Sequence, residues 1–373
     1  MKHSKKNISK KKLILIFAGF LLFFITGFWL NTFIIDAKYS YLIFAILKTV
    51  CLIFSIIFLL ILTFLSYKQK QKKILTNFNL FFTSLVSLFI FFELVFSFYT
   101  PSTNVFTDLS NNIWAKRYFT QINSLGYRDS EPKPEKGKTN ILIVGDSFVA
   151  GHGIKYEEMF SNILKNQLKQ EYNIFNLGVC GSHTDREFDS LLNYPVKADI
   201  IILGYYHNDI ESAMIKYNFS PDIKNPKDNL SKFSKLFVNN SLFINYMFTI
   251  KSKKSISKQF LESDKNDLVA YLNEDLWEYQ KNSLDKFYNY SIGNNIEFII
   301  LFFPGLSEGI TLTNELAGKK LETYCNERNI VFINIYSDIK NLPLEKRIVN
   351  QLDHHPSAEV NQIIAEKLMK KFQ

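Results

Sequence analysis

NILIVGDSF, residues 140–148, is the stretch that decides the fold. It is a continuous apolar run that ends in Gly145, Asp146 and Ser147, and such a run is typical of a strand whose two faces are both buried. Strands with one face in water alternate apolar and polar residues instead. The stretch therefore predicts a parallel sheet that is covered by helices on both sides.

The chain after residue 140 repeats this alternation of strand and helix. Four more buried strands are predicted at 172–179, 198–206, 296–304 and 330–336, with helices at 156–170, from about 185, at 314–328 and at 358–372. An insertion at about 210–294 contains a predicted helix at about 264–290 and the basic segment 251–258, which is predicted as a solvated loop. We therefore predict a doubly wound α/β domain with about five parallel strands over residues 140–373.

Residues 1–100, ahead of this domain, are predicted to form a membrane anchor. Three apolar stretches, at about 13–35, 41–67 and 75–99, are each long enough to cross a hydrocarbon core of about 30 Å as a helix. Lysine-rich segments precede the first stretch and separate the second from the third, which predicts that both segments are cytoplasmic. Three crossings predict that the α/β domain lies outside the cytoplasmic membrane, in the periplasm or the extracellular space. Residues 101–139 are predicted to be a juxtamembrane segment and linker.

Two ionisable side chains, Lys48 and Glu93, interrupt the second and third apolar stretches. Both lie about 10 Å from the predicted outer end of their helix, at 1.5 Å per residue. An unpaired charge at that depth is costly, so we expect an ion pair between neighbouring helices. The alternative is that Lys48 extends to the headgroups while Glu93 is protonated or faces another partner.

The net charge of +9 does not indicate a nucleic-acid partner, because the charges are unevenly placed. Residues 1–100 contain 12 lysines and two acidic residues, and the remaining residues contain 32 basic and 33 acidic side chains. A nucleic-acid-binding domain would need a basic face of its own. The excess belongs to the predicted membrane segment, and we expect no nucleic-acid partner.

Reactive side chains follow the predicted strands at their carboxyl ends, where open parallel sheets bind ligands. Ser147 follows the first strand, Gly181 the second and Asn208 the third. Asp353 and His355 precede the last helix. A hydroxyl becomes a nucleophile when an imidazole takes its proton and a carboxylate orients that imidazole. The sequence therefore predicts acyl-transfer chemistry at this edge of the sheet.

These blocks, in this order, resemble the SGNH (GDSL-type) hydrolase superfamily, and the resemblance covers about residues 140–373. It implies a three-layer α/β/α, flavodoxin-like domain, with Ser147 as the nucleophile, His355 as the base and Asp353 as the residue that orients it. The oxyanion hole would consist of the N–H groups of Ser147 and Gly181 and the side-chain amide of Asn208. The segment INSLGYRD, residues 122–129, resembles the one that precedes the domain in membrane-anchored bacterial members, and we expect it to pack against the domain.

Two positions depart from the common pattern of the superfamily. GDSF stands at residues 145–148 where GDSL is usual, and the fourth residue serves only packing. Asp353 precedes His355 by two positions rather than three, so His354 remains an alternative base. Each of these residues could also have a purely structural role instead of a catalytic one. Ser147 could cap a helix, and Asn208 could belong to an ordinary turn. His152, His183 and His207 are interpreted as polar residues at the sheet edge.

The sequence thus predicts an extracytoplasmic serine esterase that acts through an acyl-serine intermediate on O-acetyl-type esters of cell-envelope glycans. One alternative is an O-acyltransferase that uses the same residues with a membrane partner. The other is an inactive module that binds a glycan or a protein on the same fold. No phosphate-binding loop and no HExxH motif occurs, so no cofactor and no metal are expected. The expected partners are an acyl-ester substrate, an envelope polysaccharide and the lipid bilayer.

Overall fold

The computed structural model describes residues 10–36, 41–68, 73–98, 103, 108–119, 121–219, 226–308 and 311–372. The chain divides into two compact units. The first unit comprises residues 1–117 and 227–252, and the second comprises residues 118–226 and 253–373. Part of the predicted insertion, residues 227–252, therefore groups with the N-terminal helices rather than with the α/β sheet.

The helices and strands are numbered in chain order. The helices are α1 (Lys10–Asp36), α2 (Tyr41–Lys68), α3 (Lys73–Phe98), α4 (Asp108–Tyr118), α5 (Phe160–Gln167), α6 (Thr184–Leu192), α7 (Glu211–Lys216), α8 (Lys232–Asn240), α9 (Leu242–Leu272), α10 (Glu274–Asn294), α11 (Thr311–Arg328), α12 (Tyr336–Ile339), α13 (Leu344–Arg347) and α14 (Ala358–Phe372). The strands are β1 (Thr139–Gly145), β2 (Tyr172–Gly178), β3 (Ile200–Tyr206), β4 (Glu297–Phe303), β5 (Val331–Asn334), β6 (Ile348–Asn350) and β7 (Asp353–Pro356). Short 3-10 turns occur at Tyr156–Glu158, His207–Ile210 and Pro226–Asn229.

Long apolar helices dominate the first unit, where α1 packs along α2 and α2 packs along α3. Two stretches, Ile46–Leu65 in α2 and Asn77–Phe96 in α3, are long and apolar enough to cross a membrane, by length and composition. Only 22% and 17% of these stretches are buried, so most of their side chains point outward rather than into a protein core. In α1 the apolar stretch with described side chains, Ile14–Gly27, is shorter. The first of the three expected spans therefore stays a prediction.

Lys48 and Glu93 form the ion pair that the sequence predicted between the second and third apolar stretches. Nζ of Lys48 lies 2.6 Å from Oε1 of Glu93, and both side chains are 1% exposed. Because each charge neutralises the other, neither is left alone among the apolar side chains of α2 and α3.

The second unit contains the predicted parallel sheet, with strand order β2-β1-β3-β4-β5 among the described residues. Alternate residues of each strand point to opposite faces. On one face, Leu142 and Val144 of β1 pack in a core with α6, α10 and α11. On the other face, Ile141 and Ile143 pack in a core with α5 and α14. The α/β fold with five parallel strands is therefore confirmed.

Two expectations about local structure were wrong, and one local element was missed. The helix predicted at 264–290 is broken, because the side chain of Asn273 accepts the N–H groups of Asp275 and Leu276 and so starts α10. The basic segment 251–258 lies within α9 and is not a loop. The hairpin of β6 and β7 was not predicted, since its strands have only three and four residues and Asp353–Pro356 carries no apolar pattern.

Candidate active site

Ser147 lies in the turn that follows β1, ahead of the helix predicted at 156–170. The N–H of Ala150 donates to the Asp146 carbonyl at 3.0 Å, and the N–H of His152 donates to the Ser147 carbonyl at 3.1 Å. The next helix, α5, begins only at Phe160. Ser147 therefore does not cap a helix, and its half-buried hydroxyl projects from a tight turn at the carboxyl edge of the sheet.

Glycines allow this turn to lie against the sheet. Gly145 pairs in register with Gly178 of β2, so β1 and β2 end at the same level, and with Gly204 of β3, which continues to Tyr206. A Cβ atom on Gly178 would lie 2.3 Å from the backbone nitrogen of Ala150. No residue other than glycine fits at position 178 without displacing the turn that carries Ser147.

The structure brings Ser147, His355 and Asp353 together, although the serine is about 200 residues from the other two. Nε2 of His355 lies 2.8 Å from Oγ of Ser147. On the other side of the ring, Nδ1 of His355 forms a short hydrogen bond with Oδ1 of Asp353, which also accepts the His355 backbone N–H at 3.1 Å. Asp353 is fully buried. The arrangement is that of a serine, a base and the carboxylate that orients the base.

His354, the alternative base, points away from Ser147. Residues 353–356 form strand β7, in which successive side chains point to opposite sides. Asp353 and His355 therefore share one side, and His354 occupies the other, where its Nδ1 lies 2.7 Å from Oγ of Ser307. The geometry favours His355 over His354 as the base.

The charges around His355 stabilise its protonated form. Burial alone would lower the pKa of His355, but the charge and hydrogen bond of Asp353, together with the charge of Asp146, raise it above the ordinary value of 6.5. The pKa of Asp146 itself is raised to about 6, chiefly by burial, against the hydrogen bond from the Phe148 N–H and the charge of His355. An imidazole with a raised pKa is a stronger base for the Ser147 proton.

His152 also belongs to the site, although the sequence analysis interpreted it as a polar edge residue. Its Nε2 lies 3.5 Å from Oδ2 of Asp353, and its ring centroid lies 4.6 Å from that of His355. Burial, followed by the charge of His355, lowers the pKa of His152 to about 4, so this ring is neutral at pH 7. The only signal in the sequence was its position five residues after Ser147.

The same three side chains are the ones that could hold a cation. Among the described residues, the ligand atoms of His152, Asp353 and His355 lie within 4.8 Å of one another. A metal bound there through His355 would take an imidazole nitrogen away from Ser147 or Asp353. Metal binding and the serine chemistry would therefore compete for one ring.

Two of the three expected oxyanion donors lie in turns with unused N–H groups. In the described part of the chain, neither the Ser147 N–H nor the Gly181 N–H donates a hydrogen bond to another residue. Gly181 has a φ of +74°, which a residue with a side chain rarely adopts, and it is exposed at the end of β2. Both groups are thus available to a developing oxyanion.

Asn208, the third expected donor, lies in the 3-10 turn that follows β3. This turn is held by α9, a contact that the sequence did not reveal. Nδ1 of His207 lies 2.8 Å from Oδ2 of Asp267, and the hydroxyl of Tyr271 donates to the His207 carbonyl at 3.0 Å. All of these side chains but Asn208 are almost fully buried, so the backbone on which Asn208 sits is tightly packed.

Replacing Asn208 with alanine should lower kcat for ester hydrolysis by about 10²- to 10³-fold, the usual cost of one oxyanion donor. KM should change little, because the donor acts mainly on the charge that develops in the transition state. Asn208→Asp should be at least as damaging, since it replaces a donor by an acceptor of similar size. Steady-state kinetics of both variants with a chromogenic ester would test this, and a kcat within twofold of wild type would remove Asn208 from the oxyanion hole.

Two carboxyl groups near the turns that carry the expected oxyanion donors, those of Glu187 and Asp209, are buried. Burial raises the pKa of Glu187 on α6 and of Asp209, next to Asn208, well above their ordinary values. The charge of Asp146 contributes to both shifts, and the charge of Glu187 adds to that of Asp209. Neither carboxylate oxygen of Glu187 has a hydrogen-bond partner among the described residues. An unpaired buried carboxyl of this kind is stable in the folded protein only in its protonated form.

Glu187→Gln should therefore reduce the loss of stability at high pH. A group whose pKa is raised in the folded state stabilises the fold below its unfolded pKa, and this stability is lost as pH rises through the folded pKa. The Tm of the wild-type full chain should fall between pH 5 and pH 8, and that of Glu187→Gln should fall less. Thermal unfolding in detergent would measure this, with the exposed Glu171→Gln as the matched control. Parallel Tm curves for Glu187→Gln and wild type would contradict the expectation.

No family model and no curated protein matches this sequence. In backbone structure the chain is similar to a member of the lipolytic protein G-D-S-L family from Veillonella parvula DSM 2008, with 13% identity over 63% of this chain and 98% of the other, at a TM-score of 0.36. It is also similar to the psychrotrophic esterase EstA from Pseudoalteromonas sp., with 14% identity over 63% and 98%, at a TM-score of 0.38. A third similar structure is a GDSL-like lipase from Bacteroides thetaiotaomicron VPI-5482, with 12% identity over 64% and 89%, at a TM-score of 0.36. The chemistry proposed below rests on this chain's own residues and distances.

Proposed function

We propose that this protein is a serine esterase that hydrolyses acyl esters through an acyl-serine intermediate on Ser147. The observation that carries the proposal is the 2.8 Å approach of His355 Nε2 to Ser147 Oγ, with the buried Asp353 on the other nitrogen of the ring. A serine hydroxyl is a weak nucleophile on its own, and this arrangement removes its proton as it attacks.

The reaction divides into two acyl-transfer steps. In the first, Oγ of Ser147 attacks the ester carbonyl carbon while Nε2 of His355 takes the hydroxyl proton, and the carbonyl oxygen becomes an oxyanion that the N–H groups of Ser147 and Gly181 and the amide of Asn208 stabilise. The protonated His355 then gives its proton to the departing alkoxide, which leaves as an alcohol. In the second step, His355 takes a proton from water as the water oxygen attacks the acyl carbon. The protonated His355 then gives this proton to Oγ of Ser147 as the ester bond breaks, so that the acid leaves and free Ser147 and neutral His355 are restored.

We further propose that the substrates are O-acetyl-type esters of cell-envelope glycans at the outer face of the cytoplasmic membrane. The apolar helices α2 and α3 and the lysine-rich segments that flank them support an anchored enzyme with this topology. Ser307, after β4, and its partner His354, on the strand that carries His355, offer a hydroxyl and an imidazole to a hydroxyl-rich ligand. The residues that form the acyl-serine would also serve an acyltransferase, in which a sugar hydroxyl replaces water.

A covalent serine probe tests the identity of the nucleophile. The full chain, purified in detergent, should react with a fluorophosphonate probe, and mass spectrometry should locate the adduct on Ser147. Ser307→Ala is a matched control, because Ser307 also has a histidine nitrogen within 2.7 Å. Labelling should be lost in Ser147→Ala and retained in Ser307→Ala. The opposite result would make Ser307 the nucleophile, and no labelling of wild type would favour the binding module.

A competing acceptor separates hydrolysis from transfer. Acyl-ester turnover by the full chain should release free acid whether or not an oligosaccharide is present. Transfer of most of the acyl group to the sugar, measured by mass spectrometry, would instead favour the O-acyltransferase.

A further inference from the structure

The carboxylate of Glu93 has partners beyond Lys48 at the start of α9. Its Oε2 accepts the Ser241 hydroxyl at 2.7 Å and the Phe243 N–H at 3.2 Å, and its Oε1 accepts the Leu242 N–H at 3.0 Å. The first N–H groups of a helix have no partners within the helix, and its N-terminus carries a partial positive charge. Glu93 of α3 therefore caps α9 from another helix.

These hydrogen bonds place the start of α9 at the level of Glu93 along α3. Glu93 lies within the apolar stretch Asn77–Phe96, five residues before α3 ends at Phe98. At 1.5 Å per residue this position is about 8 Å from the end of the helix. If α3 spans the bilayer, residues 241–243 must lie below the bilayer surface too.

The side of α9 that faces α3 is packed with aromatic rings. The ring of Phe243 stacks on Phe92 at a centroid distance of 4.9 Å, and the ring of Tyr246 lies 4.6 Å from that of Phe96. Leu242 is buried with Leu109 and Ile113 of α4. The start of α9 is thus an integral part of the first unit, and α8 before it contacts α1.

The polar side chains of this segment form hydrogen bonds within the first unit. Ser110 donates to Oδ1 of Asn245 at 2.8 Å, and Nδ2 of Asn245 donates to the Val238 carbonyl at 3.0 Å. Thr249 donates back to the Asn245 carbonyl at 2.8 Å. A helix whose polar groups are satisfied in this way can enter hydrocarbon, whereas one with unpaired groups cannot.

The outward side of the segment is apolar. Residues 242–250 read LFINYMFTI and contain no charged residue, and the first lysine follows at 251. Met247 and Ile250, which lie on one helical face, are about half exposed, and Phe233 of α8 is more exposed still. The outward residues of α3 near Glu93, such as Phe91 and Val95, are exposed in the same manner. Because Phe243 contacts Phe92 and Tyr246 contacts Phe96, α9 rises toward the outer end of α3, and residues 242–247 extend about 9 Å along it.

We infer that the hairpin of α8 and α9 places its tip, residues 241–247, in the outer edge of the bilayer beside α3, with Met247 in contact with lipid acyl chains. The inference rests on the membrane anchor in the proposed function. It explains why a lysine and a glutamate are kept within apolar helices: Glu93 caps a helix that begins inside the membrane, and Lys48 neutralises the carboxylate.

Site-directed fluorescence quenching in proteoliposomes tests the inference on the full chain. Cys51, Cys180 and Cys325 would be replaced by alanine, and a single cysteine at Met247 would be labelled with bimane. The label should be quenched several-fold more strongly by nitroxide-labelled lipid than by aqueous iodide. Leu125→Cys is the matched aqueous control, since Leu125 lies in a loop of the second unit and its side chain is 45% exposed, against 51% for Met247.

Leu60→Cys in α2 separates the failure of this inference from the failure of the anchor. Leu60 is 55% exposed within the apolar stretch Ile46–Leu65 and should be quenched by lipid. Lipid quenching at both Leu60→Cys and Met247→Cys is the expected result. Lipid quenching at Leu60→Cys with iodide quenching at Met247→Cys would overturn the hairpin alone. Iodide quenching at both positions would overturn the anchor and the hairpin together. Weak quenching of the Met247→Cys label by both iodide and nitroxide-labelled lipid would overturn the lipid contact and indicate a protein partner instead.

Discussion

Ser147→Ala is expected to lower kcat for ester hydrolysis by about 10⁴- to 10⁶-fold, the range typical of losing a nucleophilic serine. The loss is this large because the remaining members of the triad have no hydroxyl to activate, so His355 and Asp353 contribute almost nothing without it. The fold should be retained, since the hydroxyl is only half buried and alanine fits the same turn. Release of p-nitrophenol from a short-chain ester by the purified full chain would measure the effect.

Ser307→Ala is the control for this result. Its hydroxyl has a histidine partner of its own, His354, but this pair lies on the other side of β7 from His355. The variant should retain hydrolysis within a few-fold of wild type. Equal rates for Ser147→Ala and wild type would contradict the assignment of the nucleophile and, with it, the proposed esterase.

Asp353→Asn is expected to lower kcat by about 10⁴-fold, as observed when a triad carboxylate is replaced by an amide. The carboxylate does two things that the amide cannot. It accepts a hydrogen bond from the Nδ1–H of His355, which leaves Nε2 free to face Ser147, and its charge stabilises the imidazolium that forms during the reaction. An asparagine amide that donates to Nδ1 would favour the wrong tautomer. Asp189→Asn, an exposed position on α6, is the matched control and should retain full activity.

The pH profile of Asp353→Asn provides a second, independent measurement. The base must be neutral, so kcat/KM should rise with pH through the pKa of His355, which Asp353 and Asp146 hold above 6.5 in wild type. Loss of the Asp353 charge should lower the pKa of His355. The rise of kcat/KM with pH should therefore occur at lower pH in Asp353→Asn, although the maximal kcat/KM is smaller than in wild type. If kcat/KM rises at the same pH in both proteins, a group other than His355 is responsible for the rise.

The sheet and the long apolar helices could be predicted from the sequence because their signals are local. A continuous run such as 140–145 indicates a strand buried on both faces whatever its neighbours are, and lengths near 20 apolar residues indicate a span. The residue at which each strand ends then follows from the end of its apolar run. Because the strands are parallel, their carboxyl ends lie at the same edge of the sheet. This is why Ser147, Gly181 and Asn208 could be chosen before the structure was known.

The pairing of Lys48 with Glu93 was also predictable, because two opposite charges at similar depth have few other partners in an apolar environment. The second role of Glu93 was not. Its hydrogen bonds to residues 241–243 join positions almost 150 residues apart, and nothing in LFINYMFTI distinguishes a capped, membrane-level helix from a buried one.

The sequence by itself determined a doubly wound sheet, two apolar helices with a charge pair between them, and the residue types that line one sheet edge, since each depends on the chemistry of neighbouring positions. Only the tertiary structure decided which histidine faces Ser147, that His152 lies beside Asp353, and that Asp267 and Tyr271 of α9 hold the turn of Asn208. Those contacts depend on how strand β7 and helix α9 pack against the sheet. Packing of this kind is set by the shape of the whole core, which no short stretch of sequence encodes.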